Sequence, residues 1–142
     1  MTIARLIEGR SSEIVSCEPS TLVSEAVALL ARRRIGALPV HQHGKVVGIF
    51  SERDVIYQLE AQGAGFLDRP VGEVMTSPPV TVTLDTGVLS ALALMTRRRL
   101  RHLPVLADGR MVAFISIGDL VKHRIDRIES EAEALRAYIQ AA

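Results

Sequence analysis

From Val15 onward the apolar positions run through a fixed series of periods, and the series then starts again. Val15–Glu18 is short and rich in small apolar and β-branched side chains, the mark of a strand. Between Leu22 and Arg34, Ala26, Val27 and Leu30 fall at the spacing of one helix face, with Thr21 or Ser20 placed to cap the start. Leu38–His41 and Val46–Phe50 are apolar runs around His43-Gly44, a hairpin pattern, and Glu52–Gln62 reads as a second helix. The second passage predicts a strand over Val80–Thr83 and a helix over Val88–Arg99. Ala91, Leu92 and Met95 lie on one face of that helix, and Asp85 or Thr86 stands at its cap. A hairpin of Leu103–Leu106 with Met111–Ile115 follows around Asp108-Gly109, then a helix from Ile117 onward. The order is strand, helix, strand, strand, helix, twice.

The two passages superpose without a gap at an offset of 65 residues. Arg32-Arg33-Arg34 lies over Arg97-Arg98-Arg99, and Leu38-Pro39-Val40 over Leu103-Pro104-Val105. Gly44 meets Gly109, Ser51 meets Ser116 and Asp54 meets Asp119. A unit of roughly 45 residues is too small to bury a sufficient core alone, so the copies are expected to pack on each other about an approximate twofold. Ile3, Leu6 and Ile7 before the first copy, and Val71, Val74 and Met75 before the second, share a helical spacing and read as short lead-ins. The expected division is a first repeat with its lead-in over 1–62, a linker over 63–79 containing Gly63, Gly65, Pro70, Pro78 and Pro79, a second repeat over 80–124, and a C-terminal helix over 125–142.

Composition narrows the classes. The chain is 48% hydrophobic but only 4% aromatic, with no Trp, so its core must be aliphatic. Seventeen basic against sixteen acidic residues leave a net charge of +1, no footprint for nucleic acid or an anionic membrane. One cysteine, Cys17, excludes an internal disulfide. Met1–Arg10 lacks the apolar stretch of a signal peptide, and no run reaches the roughly 18 apolar residues of a membrane span. A reduced, cytoplasmic protein is expected.

Gly48-Ile49-Phe50-Ser51-Glu52-Arg53-Asp54 resembles the glycine, two apolar residues, Ser/Thr, any two, Asp signature that closes a CBS domain. Ile35–Val40 and Leu100–Val105 resemble its central strand, and Val71–Thr76 the linker that precedes a second copy. The resemblance covers nearly all of the chain except about the last 15 residues. It implies an α+β fold of two CBS repeats, each strand-helix-strand-strand-helix, packed with pseudo-twofold symmetry.

Ser51 and Asp54, like Ser116 and Asp119, stand at a predicted helix start. One reading is a capping box and nothing more. The other uses the same geometry: helix-start N–H groups suit a phosphate, a serine hydroxyl can join them, and the carboxylate can accept from ribose hydroxyls. In CBS domains the Asp holds ribose and the Ser or Thr lies near phosphate, so the resemblance carries those roles onto these four residues. It also implies a base slot at Ala37 and His102, with backbone contacts near Ser16 and Thr81. For these, plain strand packing is the alternative. Arg101 and Arg53 are candidates to face phosphate, but their counterparts are Gly36 and Gly118, so the two clefts are expected to be chemically unequal. Ala113 stands where the family glycine, Gly48 in the first copy, would be, which bears on ligand approach at the second site.

Other features have plainer readings. The Arg triplets end helices, where cations suit the dipole, with contact to a phosphate or to another subunit as the alternative. His41 and His43 sit in a turn without further metal ligands nearby in sequence. His123 reads as a helix-surface residue, and Cys17 as a small buried side chain. Val121, Ile125, Ile128, Ala132, Leu135 and Ile139 form a heptad-like stripe, for a helix lying either on its own domain or on a second subunit.

No nucleophile–base pair, P-loop or dinucleotide fingerprint stands out, so an enzyme is not expected. The expected function is a regulatory, energy-sensing module that binds AMP, ADP or ATP, with NAD(H) or S-adenosylmethionine ranked behind them. It requires no cofactor and acts as a homodimer on an unidentified protein target, with no nucleic-acid or membrane partner. The alternative is a structural homodimerisation domain with vestigial ligand sites.

Overall fold

The computed structural model describes residues 1–10 and 13–141. Its helices are α1 (Ile3–Leu6), α2 (Val23–Arg33), α3 (Glu52–Gln62), α4 (Val88–Arg98) and α5 (Ile117–Ala141). Its strands are β1 (Ala37–Gln42), β2 (Lys45–Ser51), β3 (Val82–Thr83), β4 (His102–Ala107) and β5 (Arg110–Ser116). Two 3-10 turns, Ala64–Asp68 and Val71–Glu73, occupy the connection between the repeats.

Both hairpins form as the turn chemistry dictates. β1 pairs antiparallel with β2 from Ala37↔Ser51, and β4 with β5 from His102↔Ser116. Their turns need two successive positive φ angles, which His43 (53°) with Gly44 (78°) and Asp108 (53°) with Gly109 (76°) supply. The opening strands are weaker than expected. β3 joins β4 in parallel over two residues, and its first-repeat counterpart is a single bridge, Cys17 to Val40.

The expected helix caps are not used. α2 and α4 start at Leu22 and Gly87 without a side-chain cap. The Thr21 and Thr86 hydroxyls instead accept from the N–H groups of Glu18 and Thr83, each at 3.1 Å, and so close the turn ahead of the helix. Both helices end in a left-handed arginine, Arg34 at φ 53° and Arg99 at φ 55°.

Each repeat has its own aliphatic core. Val23, Ala26, Leu30, Leu38, Val40 and Phe50 form the first, and Val88, Ala91, Met95, Leu103, Ile115 and Leu120 the second. The lead-ins cross over. Ile3 is fully buried in the second core, and backbone bonds from Ile3 to Thr86 (2.9 Å) and Ala4 to Leu84 (3.0 Å) hold it there. Phe66, Val71 and Val74 of the connection complete the first core, tied by Val71 N–H to the Thr21 carbonyl at 2.7 Å. Residues that precede one repeat in sequence therefore seal the other. Burying a side chain such as Phe66 contributes about 2–3 kcal/mol, so this exchange binds the halves into one body.

Gly48 has its reason here. A Cβ at that position would lie 2.5 Å from Met75 Sδ and 3.0 Å from the Thr76 carbonyl oxygen, so only glycine lets the connection run against β2. β2 and β5 pack together, which brings the two hairpin sheets face to face about the approximate twofold. α5 is one continuous helix of 25 residues in which only Leu120 is buried. From Ile125 to Ala141 every residue is exposed, so the apolar stripe does not lie on its own domain. Among the described residues, no helix is long and apolar enough to cross a membrane.

Candidate functional site: two unequal clefts between the repeats

At the junction of β2 and α3, Ser51 has extended backbone and caps the helix. Asp54 Oδ2 accepts from Ser51 N–H at 2.9 Å and from Ser51 Oγ at 3.1 Å, while Asp54 N–H donates to Ser51 Oγ at 3.3 Å. The second carboxylate oxygen, Oδ1, accepts from Thr76 Oγ1 at 3.0 Å. The capping box thus occupies one oxygen of Asp54 and leaves the other to its surroundings.

The junction of β5 and α5 repeats the box. Asp119 Oδ2 accepts from Ser116 N–H at 2.8 Å, and Asp119 N–H donates to Ser116 Oγ at 3.1 Å. Its Oδ1 accepts from the guanidinium of Arg10 at 2.6 Å, a half-exposed ion pair. Burial pushes this carboxyl up. The Arg10 bond and charge and the Ser116 bonds push it down, and the net position lies below the ordinary aspartate value of 3.8. Thr76 and Arg10 do the same task in the two repeats with a neutral and a charged donor.

Each aspartate lines a cavity bounded by both repeats. The Asp54 cleft, about 590 Å³, is walled by β1 and β2 on one side and by the end of α4 and the start of β4 on the other. Arg53, Arg98, Arg99 and Arg101 line it against Glu52 and Asp54, four cations to two anions. Arg53 crosses the cleft to donate to the Arg99 carbonyl at 3.0 Å, satisfying a group left open at the α4 terminus. Ile56, Tyr57 and Val80 give it apolar wall. The Asp119 cleft, about 540 Å³, has among the described residues Arg10 beside Glu13 and Asp119, and Glu13 is also ion-paired with Arg33 at 3.4 Å. Ile14, Val15, Ile35, Val112 and Phe114 give it apolar wall.

Ala37 and His102, counterparts under the 65-residue offset, line both clefts and sit between them. The His102 ring stacks on Phe114 at 5.4 Å between centroids. Burial pushes its pKa below 6.5. Asp119 and Glu52 oppose this shift and Arg101 adds to it. Of the residues singled out from sequence, Ala37, Ser51, Arg53, Asp54, Arg101 and His102 gather in the first cleft. Ser116 and Asp119 gather in the second, with Ala37 and His102 shared.

Ser16 and Thr81 do not join them. The Cys17–Val40 bridge turns Ser16 to a separate shallow groove with Glu25, Arg32 and His41. Thr81, half-buried just ahead of β3, lines neither aspartate-bearing cleft. Ala113 lines the second cleft, where its methyl narrows the wall. The close approach at Gly48 is to Met75 and Thr76. The second Arg triplet is more than a solvated helix end, since Arg98 and Arg99 line the first cleft.

The sequence does not single out Arg10, Thr76 or Tyr57. Extending the 65-residue offset into the lead-ins places Arg10 over Met75, beside the carboxylate contact, and so offered a signal. Cys17 is buried, and that burial together with the Glu18 charge pushes its thiol up to about 11, so it is not poised as a nucleophile. His123 is half-buried rather than on the surface, with Nε2 enclosed and unpartnered. Among the described residues no three His, Cys, Asp or Glu side chains gather as a metal site.

The sequence profile of the CBS domain matches residues 10–61 and 71–126. A mitochondrial CBS domain-containing protein of Arabidopsis thaliana is 37% identical over 129 residues, which are 87% of this chain and 63% of that protein. The chain thus spans less than two thirds of that relative. The crystal structure of a CBS-domain containing protein from Agrobacterium tumefaciens superposes with a TM-score of 0.82 at 34% identity, covering 87% of this chain and 99% of the other. A solved structure of the protein CBSX2 in complex with AMP superposes at 0.74 with 27% identity, covering 88% and 96%.

Proposed function

The chain belongs to the CBS-domain family, and from that premise we propose that it is a regulatory module, not an enzyme, that binds an AMP- or ATP-type nucleotide in the Asp54 cleft. The carrying observation is the pairing in one cleft of a carboxylate oxygen outside the capping box with a surplus of arginines. Asp54 Oδ1 is placed to exchange the Thr76 hydroxyl for a ribose hydroxyl. The α3 N-terminus and Ser51 lie beside it for a phosphate, and Arg98, Arg99 and Arg101 balance the charge. The AMP complex of CBSX2 supports the choice of ligand class. The cleft volume lies in the range that small ligands fill.

The Asp119 cleft, with fewer arginines among its described lining residues and Arg10 on the carboxylate, binds the same nucleotide more weakly or takes a less anionic adenosyl ligand. Output passes through a homodimer to a separate protein in the cytoplasm. Thermal shift with AMP, ADP, ATP, NAD, NADH and S-adenosylmethionine tests the reading. A ligand at 100 times its Kd stabilises the fold by about 2.7 kcal/mol, so AMP or ATP should raise the melting temperature. No shift with any of the six at millimolar concentration overturns it. A second reading, a dimerisation domain with vestigial clefts, is favoured by the completeness of both capping boxes. It predicts that Asp54→Ala costs about 1 kcal/mol of stability and changes no binding.

A further inference from the structure

The last five turns of α5 stand clear of the body. Ile125 and Ile128 are 49% exposed, Leu135 59% and Ile139 63%, and all lie on the stripe that begins at Val121. From Val121 to Ala141 the charges balance at four basic against four acidic, which gives no attraction to an anionic lipid surface. We propose that this stripe pairs with the α5 of a second copy of the chain as a parallel, in-register two-stranded coiled coil. The proposal rests on the homodimer in the reading above and specifies how that dimer is held.

The charge pattern selects both partner and direction. With Ile125, Ala132 and Ile139 at the a positions and Val121, Ile128 and Leu135 at d, the flanking g positions are Arg124, Glu131 and Tyr138 and the e positions Lys122, Glu129 and Arg136. In a parallel pair each g residue faces the e residue five positions on in the other strand. Arg124 then meets the partner's Glu129, and Glu131 meets the partner's Arg136. Twofold symmetry repeats both contacts, so all four charged g–e pairs are attractive. Glu131 is held within its own helix by Arg127 at 3.3 Å through one oxygen, which leaves the other for the partner.

The antiparallel arrangement with full overlap does the opposite. It sets Glu129 against the partner's Glu129, Glu131 against the partner's Glu131, and Lys122 against the partner's Arg136. Sliding it by one heptad to relieve these contacts strands Leu135 and Ile139, or else Val121 and Ile125, in water. Only the parallel register satisfies the charges and covers the whole stripe.

Two variants test this, each checked for helix content by circular dichroism and for mass by light scattering. In a parallel pair Leu135→Cys sets two introduced thiols face to face and should give a disulfide-linked dimer with oxidised glutathione. In the antiparallel pair the two thiols lie roughly ten residues, about 15 Å, apart and stay free. Cys17 is buried with its thiol pushed up to about 11 and remains silent. Arg136→Glu should raise the dimer dissociation constant roughly tenfold if the pair is parallel, because two attractive contacts become repulsive. It should lower that constant if the pair is antiparallel, where it faces the partner's Lys122. A dimer that Leu135→Cys fails to cross-link, or one tightened by Arg136→Glu, overturns the coiled coil while leaving the dimer. A monomer at micromolar concentration overturns both. Co-sedimentation with phosphatidylserine vesicles would also overturn the pairing, by assigning the stripe to a membrane.

Discussion

The two clefts are built from the same backbone and carry opposite chemistry. Each is closed by a hairpin, a helix start with Ser-x-x-Asp, and the lead-in that precedes the other repeat in sequence. In the Asp54 cleft the lead-in donates a neutral hydroxyl from Thr76 and the walls hold four arginines against two carboxylates. In the Asp119 cleft the lead-in donates the Arg10 guanidinium, and among the described lining residues Arg10 is the single arginine. The shared part of the geometry is what a helix cap already stabilises. The variable part is charge on flexible, exposed side chains, which can change at little cost to the fold. Duplication fixes the pocket and leaves the ligand free to diverge.

Removing each carboxylate in turn separates the two clefts. Asp54→Asn keeps an oxygen to accept from Ser51 but loses the charge-assisted ribose bonds, about 2 kcal/mol. AMP affinity by isothermal calorimetry should then fall roughly 30-fold, while Asp119→Asn leaves the tight site within about twofold. Equal losses from both would mean that the clefts are equivalent. A smaller effect follows from Arg101→Gly, which copies the first repeat's residue at the counterpart position Gly36. Arg101 is exposed, so its loss should cost ATP about 1 kcal/mol, near fivefold, and should flatten the dependence of ATP affinity on salt.

The pattern of periods was enough to find the repeat, both hairpins and α3, because those features rest on local rules: turn residues, alternation and helical spacing. The partners of the lead-ins were not readable. Ile3, Leu6 and Ile7 declare an apolar face but not which core receives it, and that choice is set by tertiary packing across more than 80 residues, to Thr86. The same crossing explains why Arg10 beside Asp119 is not readable from the sequence. Arg98 and Arg99 read correctly as helix-ending cations, but a helix end can also be the wall of a cleft when another repeat packs beside it. Thr21 and Thr86 were legible as capping residues and serve the preceding turn instead, a competition between two local hydrogen bonds that sequence does not rank.

Arg10→Ala sharpens the comparison from the other side by giving Asp119 a free oxygen. The ion pair is half-exposed, so stability at neutral pH should fall by less than about 1 kcal/mol, read as a few degrees in melting temperature. The folded-state pKa of Asp119 lies below 3.8, so its contribution is present above that value and is lost as pH falls through the folded value. The variant should lose part of that acid-dependent contribution. Unchanged acid unfolding would mean that Arg10 does not govern this carboxylate.

The smallest expected effect lies between the clefts, at His102. Burial holds its folded-state pKa below 6.5, with Arg101 in the same direction and Asp119 and Glu52 against. On acidification the unfolded chain therefore takes up the proton first, and stability falls as pH drops from 6.5 toward the folded value, then levels off. His102→Ala, which installs the residue of its counterpart Ala37, loses the Phe114 stack at every pH, so the readout is slope rather than absolute stability. The slope of denaturation free energy through this window should shrink in His102→Ala. It should steepen in Asp119→Asn, where a charge that favours the imidazolium is gone. If both variants keep the parent slope, His102 does not titrate between the clefts, and the asymmetry belongs to the arginines and Asp119 alone.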